Sequence, residues 1–330
     1  MPVSSGILFF NSMAKFTLTE LLELTSAEGG RFAVGNADAA VEFCRRLATS
    51  HYENFPVGSL LVGKARRKHF YTIYSFARIA DDIADEFTDD PVTRLEALER
   101  MAAMLELPEG APVTNPVFLA LAVTVKDNFI PVATLKKLLT AFTDDINFVQ
   151  PHDYDGLESY CSNSANPVGE LILRLYSLYN EETAPLSDAV CTGLQLVNFW
   201  QDLTRDIPVG RMYIPVSLME KYSLTQDELK APDITNPALS ALLEELCEKT
   251  AGYFTFGRGL LRYLKPLSLR LEIALTIRGG MMVLDMVKRL GTAVFTKRPK
   301  LRKIDYIKLF IFAVIDGCNI ENRAGKLRKG

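Results

Sequence analysis

Hydrophobic and polar positions repeat with a helical period along nearly all of this chain. Val41, Cys44 and Leu47 share one face of a segment over residues 38–49, with Asp38 as its expected N-cap. The same spacing predicts helices over 68–86, 92–105, 115–128, 132–149, 157–163 and 168–179. Pro91, Pro108, Pro116, Pro131, Pro151 and Pro167 punctuate them. Two later helices are predicted over 236–264 and 267–290, broken at Lys265-Pro266. Strict alternation with paired turn signals is missing, so the expected fold class is all-α.

Two segments carry charge where the period calls for apolar residues. In 68–86, Phe70, Ile73, Tyr74, Ala77 and Ala84 share a broad face with Asp81. A carboxylate embedded there is costly without a partner. Asp81 and Asp85 stand one turn apart, roughly 5–6 Å between their Cβ atoms, and Arg78 lies at i−3 from Asp81. Taken alone, this is an acidic helix end balanced by local salt bridges. A second segment then repeats the D-x-x-x-D spacing. Gln195, Asn198, Asp202 and Asp206 form one polar stripe, and Leu196, Phe199, Trp200 and Leu203 form the opposite, apolar one. Pro208 and Gly210 are expected to stop this helix. Most polar stripes are wet faces rich in lysine and glutamate. This one offers two carboxylates and two amides, an oxygen set that suits Mg²⁺ completed by phosphate oxygens and water.

Composition narrows the class. The chain has 330 residues, 48% of them hydrophobic, ample for a sizeable core. A net charge of −3 gives no reason to expect nucleic acid as a partner. Five cysteines, Cys44, Cys161, Cys191, Cys247 and Cys318, show no CxxC spacing and read as reduced core thiols. The apolar run Ile7 to Phe10 is too short for a signal h-region and has no basic n-region before it. The run from Tyr306 to Ile315 is interrupted by Lys308 and is about half a membrane span. A cytoplasmic protein is expected, with residues 1–37 as an N-terminal extension, Met13 as an alternative start, and 38–330 as one all-helical domain.

Gly58 to Ala65 nearly spells a phosphate-binding loop, but Ala65 stands where Ser or Thr would ligate Mg²⁺ and no strand precedes it. Gly257-Arg-Gly259 lacks a third glycine and follows a helix, so no nicotinamide cofactor is expected. Arg66, Arg67 and Lys68 read as a solvated helix start, and Asp144-Asp145 as solvated or capping residues. Phe254, Leu261 and Leu264 read as core. Gly279-Gly280 with Met281 and Met282 reads as a place where helices approach closely or as the lining of a pliable apolar pocket. The basic tail (Lys297, Arg298, Lys300, Arg302, Lys303, Lys326, Arg328, Lys329) reads as solvated, or as a loose hold on an anionic membrane surface.

Arg78-Ile-Ala-Asp81-Asp82-Ile-Ala-Asp85-Glu86, the segment Gln195 to Asp206, and Gly210-Arg211-Met-Tyr213-Ile-Pro215 together resemble the squalene and phytoene synthase family over about residues 38–300. His51 and Phe55 match its H-x-x-S-F segment, with Asn54 in place of the serine. Tyr160-Cys161 and Val168-Gly169 match its YC…VG segment, with Asn166-Pro167 in place of Gly-Thr. Asn198-Phe199-Trp200-Gln201-Asp202 departs from the Asn-Ile-Leu-Arg-Asp of phytoene synthases, and the late tyrosine expected near Lys288 is not evident. HYENFPVGS, SANPVG and NFWQD are most similar to the bacterial hydroxysqualene synthase branch, which serves hopanoid synthesis.

The resemblance implies an isoprenoid-synthase-type helical bundle with a central apolar cavity. It also implies ionisation of a prenyl diphosphate, assisted by more than one Mg²⁺ ion. Asp81, Asp85, Asn198, Asp202 and Asp206 are the expected ligands, the four aspartates and Tyr160 the expected catalytic residues. His51, Tyr52, Phe55, Arg78, Gln195, Asn198, Gln201, Arg211 and Tyr213 are expected to hold substrate. The branch implies presqualene diphosphate as substrate and water as the group that captures the cation, with His51, Tyr52 and Gln201 nominated to place it. Sister enzymes of hopanoid synthesis are then expected partners. Two readings stay open beside this one: head-to-head condensation of farnesyl or geranylgeranyl diphosphate, and a non-catalytic helical partner of a sister prenyl synthase.

Overall fold

The computed structural model describes residues 16–50, 63–85, 91–108 and 110–300. Its helices are α1 (Leu18–Glu23), α2 (Ala37–Ser50), α3 (Lys64–Asp85), α4 (Pro91–Met104), α5 (Pro116–Asn128), α6 (Val132–Ile146) and α7 (Tyr154–Ser164). Then come α8 (Asn166–Leu175), α9 (Ala184–Asp206), α10 (Val216–Lys221), α11 (Gln226–Lys230), α12 (Pro237–Gly257) and α13 (Leu267–Leu290). Among the described residues there is no strand, and the fold is all-α. Two compact units divide it. One takes in Met1–Val149 and Glu170–Tyr179, the other Gln150–Gly169 and Asn180–Gly330.

In the first unit α3 packs against α2, α5, α6, α4 and α1. The residues set apart in the sequence as an extension fold here from residue 16 onward. A capping box starts α1: Thr17 Oγ1 accepts from the Glu20 amide, and the Glu20 carboxylate accepts from the Thr17 amide at 2.8 Å. Leu21 and Leu24 are fully buried. Buried Asn115 then does two jobs. Its Oδ1 caps α5 through the Val117 amide, and its Nδ2 donates to Leu24 O and Ser26 O, both at 2.8 Å. Gly29, at φ 73°, sits so close that a Cβ would meet Asn115 Cα at 2.8 Å, so only glycine fits that crossing.

Several boundaries move for physical reasons. The cap of α2 is Asn36, whose Oδ1 accepts from the Ala39 amide at 2.9 Å; Asp38, the expected cap, lies inside the first turn. Helix α3 begins a turn earlier than its apolar period shows, because its basic start is not simply solvated. Arg66 Nε donates to Leu175 O at 2.7 Å and its guanidinium lies 4.6 Å from the Tyr176 ring centre. Asp145, expected to be solvated or capping, is buried.

In the second unit α9 is the central element, packed against α12, α13 and α7. It starts at Ala184, eleven residues before the polar stripe, and is buried on nearly every side. Such a helix hides its period. Its stop is as expected: Ile207–Val209 tightens into a 3₁₀ turn, Gly210 takes φ 84°, and the Arg211 amide donates to Asp206 O at 2.9 Å. Helix α12 ends at Gly257, short of the expected 264, and continues as a 3₁₀ turn over Arg258–Arg262. The prediction for α13 matches its observed bounds.

Phe254 of α12 lies against glycine on two sides. A Cβ at Gly193 of α9 would stand 3.2 Å from its ring, and one at Gly280 of α13 would stand 2.5 Å from it and 2.9 Å from Leu194 Cδ2. Close approach is therefore the role of Gly280, while Gly279 faces open space. Gly280→Val is expected to cost about 1–3 kcal/mol through overpacking. A urea melt checks this, and an unchanged midpoint would refute the contact.

Cys44, Cys161 and Cys247 are buried and Cys191 half-buried, all as free thiols. Burial pushes the Cys44 thiol up to about 12. Cys318 lies outside the described residues.

Candidate active site

Helix α3 brings three charged groups out of water together. Arg78, Asp81 and Asp82 are all buried, at 6%, 6% and 4% exposure. The Arg78 guanidinium is hydrogen-bonded to Asp82 and stands 3.8 Å from Asp81 Oδ2. Burial works against the Arg78 charge, and the Asp82 and Asp81 carboxylates outweigh it, so its pKa stands above the usual arginine value. The sequence paired Arg78 with Asp81; the closer partner is Asp82, at i+4. Asp85 is half-buried at the helix end. Arg94 of α4 closes that end by donating to Ala84 O at 2.6 Å. One arginine thus serves two buried carboxylates, and a third follows one turn on.

The second unit supplies the other polar stripe. Gln195, Asp202 and Asp206 of α9 are buried and Asn198 is half-buried. Asp202 forms an ion pair with Arg298, whose Nη2 lies 3.3 Å from Asp202 Oδ2. Its neighbour Gln201, 4% exposed, donates from Nε2 to Pro299 O at 2.9 Å. Sequence reasoning missed Arg298 by reading it as part of a solvated tail. No local pattern marks it, because its partner is 96 positions away. Lys297, its neighbour, is exposed.

Aromatic rings line the same end of α9. Phe199 and Tyr213 stack with centroids 3.7 Å apart and planes 10° from parallel. Tyr160 of α7 leans on both, at 5.9 Å from Phe199 and 5.6 Å from Tyr213. Geometry thus brings Tyr160, Tyr213, Asn198, Asp202 and Asp206 onto adjoining elements of one unit. Arg211 follows directly on the turn that ends α9. His51, Tyr52 and Phe55 lie outside the described residues, as does most of the near phosphate-loop stretch.

The donors fit a hard cation. Among the described residues they are carboxylate and amide oxygens with no thiolate or imidazole beside them, and buried carboxylates of this kind are stabilised by a divalent ion. Among the described residues no three His, Cys, Asp or Glu side chains converge on one point. Mg²⁺ needs only one or two carboxylates when substrate phosphates and water complete its shell, so paired aspartates suffice. Among the same residues no helix is long and apolar enough to cross a membrane.

The profile of the squalene/phytoene synthase family matches residues 48–305. The hydroxysqualene synthase of Rhodopseudomonas palustris is 33% identical over 227 residues, 68% of this chain and 76% of that protein. That of Sinorhizobium fredii is 31% identical over 74% of this chain and 82% of that protein. Among solved structures, the squalene synthase HpnC of Alicyclobacillus acidocaldarius covers 82% of this chain and 98% of its own at 32% identity, with a TM-score of 0.72. Together with the aspartate motifs on α3 and α9, these matches show that the chain belongs to the squalene/phytoene synthase family.

Proposed function

We propose that this enzyme converts presqualene diphosphate and water to hydroxysqualene and diphosphate. The observation that carries this reading is the order of its relatives. Hydroxysqualene synthases stand at 31–33% identity, whereas presqualene diphosphate synthases stand at 24–27%. Phytoene synthases stand at 25–26%. The buried aspartates support the chemistry common to all of them.

Asp81, Asp85, Asn198, Asp202 and Asp206 would hold Mg²⁺, which when bound supplies positive charge to the diphosphate leaving group. The chain's own residues do the rest. Arg78 and Arg211 add charge-assisted hydrogen bonds to phosphate oxygens as the C–O bond breaks and diphosphate departs with the electron pair. The stacked faces of Phe199 and Tyr213, with Tyr160 beside them, offer π density to the cyclopropylcarbinyl cation. Apolar walls exclude bulk water so that the cation opens its ring before capture. One admitted water then adds through oxygen and gives up a proton, with Tyr160 or the departing diphosphate as acceptor. His51, Tyr52 and the Gln201 carbonyl are the proposed hosts of that water. Gln195 would orient the polar end of the substrate. The product places the enzyme in hopanoid synthesis, after a sister enzyme that condenses two farnesyl diphosphates. Substrate and product are lipids, so it works in the cytoplasm, loosely against the membrane surface.

Separate incubations of purified protein and Mg²⁺ with presqualene diphosphate and with farnesyl diphosphate test the reading. Hydroxysqualene is expected from the first and no prenyl product from the second. Presqualene diphosphate, squalene or phytoene formed from the simple prenyl diphosphates would replace it with head-to-head condensation. A non-catalytic partner would form nothing from either, and it would have no use for buried carboxylates that cost free energy.

A further inference from the structure

Two contacts join the segment after α13 to the aspartate motif, and they run in opposite senses. Gln201 donates its amide to the backbone oxygen of Pro299, and Arg298 donates its guanidinium to the carboxylate of Asp202. Adjacent residues of α9 thus meet adjacent residues of the segment, side chain to backbone and side chain to side chain. Such a pair fixes register as well as distance. All four residues are buried or part-buried, so solvent screens the Arg298–Asp202 attraction only in part. Lys297 and Lys300, on either side, are exposed, which leaves Arg298 as the cation this segment turns inward.

A guanidinium on both oxygens of a carboxylate competes with a metal for their lone pairs, and two cations on one carboxylate repel. We infer that residues 297–300 form a latch: Gln201 holds the backbone of Pro299 so that Arg298 occupies Asp202, and Mg²⁺ must displace Arg298 to take up that ligand. Gln201 is then a positioning residue for Arg298, in addition to any part in placing water. The latch lowers the affinity of the empty enzyme for metal and keeps the Asp202 carboxylate paired while no metal is there. Displaced, Arg298 stays tethered beside the motif by the Gln201–Pro299 hydrogen bond. This inference rests on the assignment of Asp202 as a metal ligand made above.

Mn²⁺ binding to the full-length protein, titrated by electron paramagnetic resonance without any diphosphate, tests both layers apart. Arg298→Gln is expected to bind Mn²⁺ about five- to tenfold more tightly than the wild type, and Arg298→Lys to return most of the way. Gln201→Leu is expected to shift affinity in the same direction by a smaller factor. It should also speed tryptic cleavage after Lys297 and Lys300 several-fold, mapped by mass spectrometry. Asp202→Asn is the control for the metal assignment. If Asp202→Asn binds Mn²⁺ as the wild type does, Asp202 is not a ligand and both readings fall. If Asp202→Asn weakens binding while Arg298→Gln binds no tighter than the wild type, the latch alone is wrong.

Discussion

Asp202→Asn is expected to lower kcat with the proposed substrate, presqualene diphosphate, by about three orders of magnitude or more, while the fold survives. The substitution keeps the side chain's size and removes one negative charge from the buried polar stripe of α9. Two losses combine. The proposed metal ligand set becomes weaker, and charge stabilisation of the departing diphosphate, worth several kcal/mol for a bound divalent ion, falls with it. About 4 kcal/mol corresponds to roughly a thousandfold in rate. The amide also meets the Arg298 guanidinium without the charge that now attracts it. Arg298 retains partial access to water, so the ion pair's loss is expected to be minor for stability beside its effect on rate. Steady-state kinetics at saturating Mg²⁺, with a thermal melt as the folding control, provides the check. Activity within tenfold of the wild type would remove Asp202 from the metal site.

The aspartates were legible in the sequence because a buried carboxylate breaks an apolar pattern, and it does so twice at the same spacing. The helix boundaries set by proline were legible too, as at Pro116 and Pro266, since a missing amide acts on its own few residues. What the sequence hid is what depends on distant contacts. Arg298 reads as one more basic residue in a tail until the fold places it on Asp202. Asn115 reads as the first residue of a helix, and its grip on Leu24 O and Ser26 O emerges only when α1 docks. Helix α9 reads as half a helix because its first eleven residues carry a single charge, Asp188, and so show no polar stripe to mark a period. Asp81 and Asp82 both lie within reach of Arg78, and spacing alone does not choose between i+3 and i+4.

Trp200→Ala is expected to destabilise the protein by about 3–5 kcal/mol, the range for truncating a large buried aromatic. Trp200 is fully buried, and its ring meets Phe199 edge-on with centroids 6.2 Å apart. The indole Nε1 donates to Thr250 Oγ1 at 2.8 Å, and that hydroxyl donates in turn to Leu246 O at 2.7 Å. Alanine removes the ring's packing and leaves a cavity between α9 and α12. It also strips the Thr250 oxygen of its donor in a place water reaches poorly. Trp200→Phe separates the two parts: it keeps most of the volume and loses the hydrogen bond, so about 1–2 kcal/mol is expected. Domains are typically stable by about 5–15 kcal/mol, so the alanine variant gives up a large share of that margin. Urea midpoints at unchanged m-value measure both effects. Because Trp200 precedes Gln201 and Asp202 directly, the alanine variant should also lose activity at temperatures where it remains folded. A stability loss under 1 kcal/mol for Trp200→Ala would mean that α9 does not take its seat on α12 from this side chain.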